Sequence, residues 1–81
     1  MTQDEAAKTA NDNIHLVGQR WKNNTDGTIE TVIEVRPIQL RQVDYAWTVM
    51  VVFIPTIDKN HIGKIREHFL DTFFVNYTKL I

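Results

Sequence analysis

The sequence has no cysteine, which excludes a disulfide framework, a thiolate zinc site and a thiol nucleophile. A chain without cysteine suits a reducing cytoplasm. Its three glycines and two prolines are scattered, so there is no glycine-rich phosphate cradle, low-complexity segment or internal repeat. Long hydrophobic runs are missing as well. The longest, Val49 to Pro55, is far too short to span a bilayer, and the N-terminus MTQDEAAKTANDN has no apolar signal core. Neither sign of charge dominates: nine basic and ten acidic side chains give a net charge of −1. That balance argues against strong attraction to nucleic acid or acidic lipid, and against a heavily acidic DNA mimic.

What remains is a chain of 81 residues, 43% hydrophobic and 23% charged. That describes one soluble globular domain with a modest core. Residues 1–13 are small, polar and charged, with no large apolar side chain beyond Met1, and read as a disordered N-terminal arm. Residues 14–81 read as the folded domain.

Alternating hydrophobicity predicts strands over 14–22 and 28–36. Between them, Asn23-Asn24-Thr25-Asp26-Gly27 collects turn formers, and Asp-Gly is a strong hairpin signal. Pro37 is expected to end the second strand, because it lacks a ladder donor. The third strand, Val43 to Ile54, is the longest. One face of it carries Val43, Tyr45, Trp47, Val49, Val51 and Phe53; the other changes from Asp44, Ala46 and Thr48 to Met50, Val52 and Ile54. Its second half therefore needs cover on both faces. Pro55 closes it.

Beyond Pro55 the period shifts to that of a helix near 58–72, capped by Asp58 and carrying Ile62, Ile65, Phe69 and Phe73 on one stripe. Residues 73–81 return to a period of two and read as a closing strand. The order β-β-β(long)-α-β predicts a mainly β (α+β) fold, a small SH3-like barrel or roll. An open three-stranded sheet with one helix across it is the competing arrangement. Both share a core of Leu16, Trp21, Ile29, Ile33, Val35, Tyr45, Val49, Val51, Ile65 and Phe69.

The run Gly18-Gln19-Arg20-Trp21, then Asp26-Gly27, Thr31-Val32-Ile33-Glu34-Val35, Val43-Asp44-Tyr45, and finally Phe69 and Phe73, resembles small phage- and prophage-encoded SH3-like β-barrel proteins. These share a G-x-x-W/Y element, a turn glycine, a T-V-x-x-V strand, a V-x-Y strand and a terminal F-x-x-x-F segment. The similarity covers roughly residues 18–77 and departs from the pattern in the apolar run after Tyr45. It implies a mobile-element origin and a non-catalytic role in the host cytoplasm, and it assigns no functional residues.

Chemistry is sparse. His61 and His68 are seven apart, about 10 Å along a helix, unlike the i, i+4 spacing of helical zinc ligands. His15 would have to come from a different element. Pairing Asp44 or Asp58 with Glu67 or Asp71 gives no recognisable acid–base site. The chain is read as no enzyme, with no cofactor and no metal.

Two surfaces stand out. The first is the apolar surplus of Trp47, Met50, Val52, Phe53 and Ile54, rimmed by Arg41 and Asp44, of the composition found at interface centres. It predicts a protein-binding accessory module that covers a surface of a host protein, or a homodimer. The second is Arg20, Trp21, Lys22, Arg36 and Arg41, in a segment that resembles the KOW-type entry into ribosomal barrels. It predicts a small nucleic-acid-binding barrel with Trp21 as stacking platform. A phage structural or assembly component is the third reading.

Overall fold

The computed structural model describes residues 1–55 and 65–80. Helix α1 (Gln3–Asp12) is followed by a 3-10 turn at Ile14–Leu16. Then come β1 (Arg20–Asn23), β2 (Ile29–Leu40), β3 (Ala46–Pro55), β4 (Arg66–Phe69), helix α2 (Leu70–Asn76) and β5 (Tyr77–Lys79). The strands form one antiparallel sheet in the order β4-β3-β2-β1-β5. Its two edges, β4 and β5, do not pair with each other, so the described strands make an open sheet and not the expected closed barrel. The α+β, mainly β class stands.

The turn between β1 and β2 forms where Asp26-Gly27 predicts it. Gly27 takes the left-handed conformation (φ 75°). The Asp26 carboxylate accepts the Thr28 N–H at 2.9 Å, and the Asn23 carbonyl accepts the Gly27 N–H at 2.8 Å. Beyond it, β2 breaks simple alternation. Val32 pairs with Phe53 and Glu34 with Val52, which leaves Ile33 as an extra residue, a β-bulge. Before the bulge Glu30 and Val32 face inward; after it Val35 does. Ile33, expected in the core, is 42% exposed on the opposite face.

Pro37 does not end β2. It lies inside the strand, opposite Val49. There β1 has already ended, having paired only with residues 29–31, so β2 has a side without a strand neighbour. That is where a proline is tolerated.

The N-terminal segment is a helix, not a disordered arm. Thr2 and Glu5 form a reciprocal capping box: the Thr2 hydroxyl accepts the Glu5 N–H at 3.2 Å and the Glu5 carboxylate accepts the Thr2 N–H at 2.8 Å. Ala6 and Ala10, one turn apart, are both buried against β2 and β3. Their small side chains let the helix lie close to the sheet.

The helix expected over 58–72 is corrected in its described part, residues 56–64 lying outside the described residues. Arg66–Phe69 is strand β4, paired with β3, and the helix begins at Leu70. Tyr77–Lys79 alone forms the closing strand, along β1. The first strand is likewise shorter than 14–22: Ile14–Leu16 is a 3-10 turn and β1 starts at Arg20.

The described helical elements all cover one face of the sheet. The core between them contains Ala6, Ala10, Leu16, Trp21, Val32, Val35, Val49, Val51, Phe53, Phe73 and Tyr77. Aromatic rings tie the C-terminal elements in: Trp21 and Phe73 lie 4.9 Å apart, Phe73 and Tyr77 4.8 Å, Phe53 and Tyr77 5.0 Å. Such pairs add about 0.5–1.5 kcal/mol each beyond area burial. Tyr45, Ile65 and Phe69, expected in the core, are exposed.

Deleting Ile33 leaves Val32, Glu34 and Val35 in unbroken in–out–in alternation against Phe53, Val52 and Val51. The deletion variant is therefore expected to fold, losing no more than about 1 kcal/mol in urea titration. Loss of cooperative unfolding would show that the twist supplied by the bulge is itself required.

Candidate functional site

The β2–β3 hairpin ends in a five-residue turn, residues 41–45, every one of them exposed. Its backbone is unusual. Asp44 (φ 49°) and Tyr45 (φ 56°) are consecutive non-glycine residues in the left-handed region. Each costs roughly 1–2 kcal/mol, and a bulky residue such as tyrosine is a rarity there. The turn is held by the Ala46 N–H donating to the Val43 carbonyl (2.9 Å) and the Val43 N–H donating to Leu40 (3.3 Å). The Gln39 side-chain amide donates to the Tyr45 carbonyl at 3.1 Å. The result is a braced turn in which Tyr45 (61% exposed) and Val43 stand out beside Arg41 and Asp44.

Behind this tip, the sheet face opposite the helices bears a mixed surface. Ile33 and Phe69 are exposed on it, with Met50 and Ile54 half-buried between them. Val52, on the same face, is buried. The Arg36 guanidinium reaches across β3 to Glu67 at 3.1 Å and approaches Glu34 at 4.0 Å, so its aliphatic stem crosses the strand beside Val52. As exposed ion pairs these contribute little to stability.

The residues predicted as one protein-binding patch are divided by the sheet. Phe53 is fully enclosed in the core and cannot touch a partner. Trp47 faces the helix side, packed against the core, and its backbone exchanges hydrogen bonds with Met1 at 3.2 and 3.3 Å. Met50, Val52 and Ile54 lie on the opposite face. Arg41 and Asp44 sit at the tip.

The predicted basic cluster is divided as well. Arg20 and Lys22 are exposed on the face of β1 opposite the described helices, but Trp21 between them is buried against Phe73. Arg36 is engaged by two glutamates, and Arg41 is at the hairpin end. His68 stacks on Phe53 at 5.5 Å, while His61 and Asp58 lie outside the described residues. Among the described residues no group of three or more metal-ligating side chains converges. No helix among them is long and apolar enough to cross a membrane.

Sequence periodicity missed one charged residue of note. Glu30 is only 1% exposed, on the helix side of β2 opposite Trp21 and Pro55. Neither of its carboxylate oxygens accepts a hydrogen bond among the described residues. Arg66 of β4 stands 3.5 Å from it and also approaches Asp26 at 3.9 Å. Tyr77 lies close by, its hydroxyl meeting the Asn23 amide at 3.4 Å. Burial, together with the Glu30 carboxylate, pushes the Tyr77 phenol far above its ordinary range. The Thr28 N–H holds the Asp26 carboxyl below its own. The arrangement joins β2, β4, β5 and the β1–β2 turn through one buried charge.

Comparison of the chain with protein-family models, curated proteins and solved structures finds no match.

Two outcomes follow for this charge cluster. Arg66→Met leaves Glu30 buried without its cation and is expected to cost about 3 kcal/mol in urea denaturation, while in a Glu30→Met background the same change costs little. The Tyr77 phenol is kept neutral by the fold but ionises near pH 10 when unfolded. Its contribution is thus fully present below about pH 10 and lost as pH rises further. Tyr77→Phe is expected to remove that alkaline loss, read from denaturation midpoints on either side of pH 10.

Proposed function

We propose that this chain is a non-catalytic protein-binding module that acts by surface occlusion, with the β2–β3 tip as its point of contact. The observation that carries this reading is the pair Asp44–Tyr45, held left-handed so that a tyrosine stands clear of the body. Backbone strain of this kind is concentrated at functional positions. Tyrosine and arginine, here Tyr45 and Arg41, are the residue types most enriched among interface hot spots. A turn braced by its own hydrogen bonds also loses little freedom on binding.

The resemblance to small SH3-like phage proteins extends the reading to a phage-encoded modulator of a host protein in the host cytoplasm. Arg41 and Asp44 keep the rim role assigned to them from sequence, now beside Tyr45 and Val43 in place of Trp47 and Phe53. The nucleic-acid reading has less support, since Trp21, its stacking platform, is enclosed.

The test is affinity capture from a bacterial lysate with the wild-type chain and with Tyr45→Gly as baits. The wild type is expected to retain one defined protein, and the variant to lose it by tenfold or more. Because glycine relieves the left-handed strain, and its unfolded-state entropy offsets only about 0.4–1 kcal/mol of that, the variant should be no less stable than the wild type. Equal capture by both baits, or capture by neither, overturns the proposal.

A further inference from the structure

The sheet face opposite the described helices differs in charge across its width. On one side, β4 presents Glu67; on the other, β1 presents Arg20 and Lys22, all exposed. Between them Ile33 is exposed at the bulge and Met50 and Ile54 are half-buried on β3, and the ion pairs of Arg36 with Glu34 and Glu67 lie across the strands beside them. We infer that this face packs against the same face of a second copy of the chain, about a two-fold axis parallel to the strands and midway between β2 and β3.

The sheet order makes the face complementary to itself under that operation. In the order β4-β3-β2-β1, β4 and β1 lie equally far from a line between β3 and β2. A two-fold along that line therefore sets β4 of one copy over β1 of the other. Glu67 shares a row with Val52, and Arg20 a row with Ile54, two residues further along β3. That offset is about 7 Å, within the combined reach of a glutamate and an arginine, and the two-fold makes it the same for both pairs. Ile33, Met50 and Ile54 then meet their counterparts at the centre, with the Glu34–Arg36 pair of each copy beside them.

Size and charge allow the contact. The molecule measures 38 × 26 × 20 Å, and its thin dimension is that of one sheet and one helix layer. The broad face can thus supply the ~800 Å² per partner of a standard interface. With a net charge of −1, two copies barely repel each other. This inference is independent of the tip. It places both tips at the same end of the dimer, because a two-fold parallel to the strands preserves position along them.

The test is molar mass in solution for the full chain and two charge variants. One is acidic at β1 as well as β4 (Arg20→Glu with Lys22→Glu); the other makes β2 and β4 basic as β1 is (Glu34→Lys with Glu67→Lys). Light scattering is expected to give twice 9.5 kDa for the wild type, 9.5 kDa for each variant alone, and the doubled mass again for their equimolar mixture. Ile33→Glu, at an exposed position that the core does not use, is expected to be monomeric with an unchanged circular dichroism spectrum. A wild type that stays at the monomer mass, variants that dimerise alone, or a mixture that does not recombine overturns the inference. Lysate capture by the Tyr45 tip is read separately, so a monomer that still captures a partner through Tyr45 defeats the second copy and leaves the tip reading in place.

Discussion

One extra residue in β2 sets the phase on which the rest of the molecule depends. Because Ile33 is bulged, residues of opposite parity, Val32 and Val35, reach the same side of the sheet. The helices are therefore given one continuous apolar floor, formed by Val32 and Val35 with Val49, Val51 and Phe53 of β3. An unbulged strand would turn either Val32 or Val35 to the other face, and a one-residue slip cannot be absorbed locally, since the side-chain period is two. The same phase change puts Glu30 inside and Glu34 and Arg36 outside. It is the reason that one glutamate of β2 is a buried anchor while the next forms a surface bridge.

On that floor the helices do different work. Helix α1 covers the long β2–β3 arm with alanines, so its contribution comes from closeness of approach and little from side-chain volume. Helix α2 covers the broader end with Phe73, the centre of the aromatic group that also includes Trp21, Phe53 and Tyr77. A chain of this size has little interior to spare. Dividing the cover between a flat helix and a bulky one closes one side of a single sheet with few residues.

How much of this could be read from the sequence depended on whether the signal was local. The Asp26-Gly27 turn and the alternation of β3 from Ala46 onward are written in adjacent residues and appear as expected, while Val43 to Tyr45, expected to begin that strand, belong to the turn before it. The N-terminal helix was legible in principle, in the Thr2-x-x-Glu5 box and the Ala6/Ala10 spacing, but alanine carries too weak a hydrophobic signal to mark a buried face. The bulge was not legible: Ile29, Ile33 and Val35 make an unbroken alternation that is stronger on paper than the one the fold uses. Arg66–Phe69 failed for a related reason, since Ile65, Phe69 and Phe73 sit at helical spacing, yet pairing with β3 outweighs it. At the candidate site, Arg41 and Asp44 were picked out as rim charges. Tyr45 was placed on a strand face, because nothing in its neighbours announces a left-handed turn without glycine.

Pro37 carries a consequence for the chain in a crowded cell. Past the end of β1, β2 runs on for several residues with a side that no described strand occupies. An edge of that kind, rich in β-branched residues, is a template on which any other extended chain can add. Proline in the middle of it removes one donor from the row and stiffens the backbone, while Arg36 beside it adds a charge. Proline and arginine thus blunt the edge of the long arm that carries the tip, while the strand keeps the length that pairs with β3.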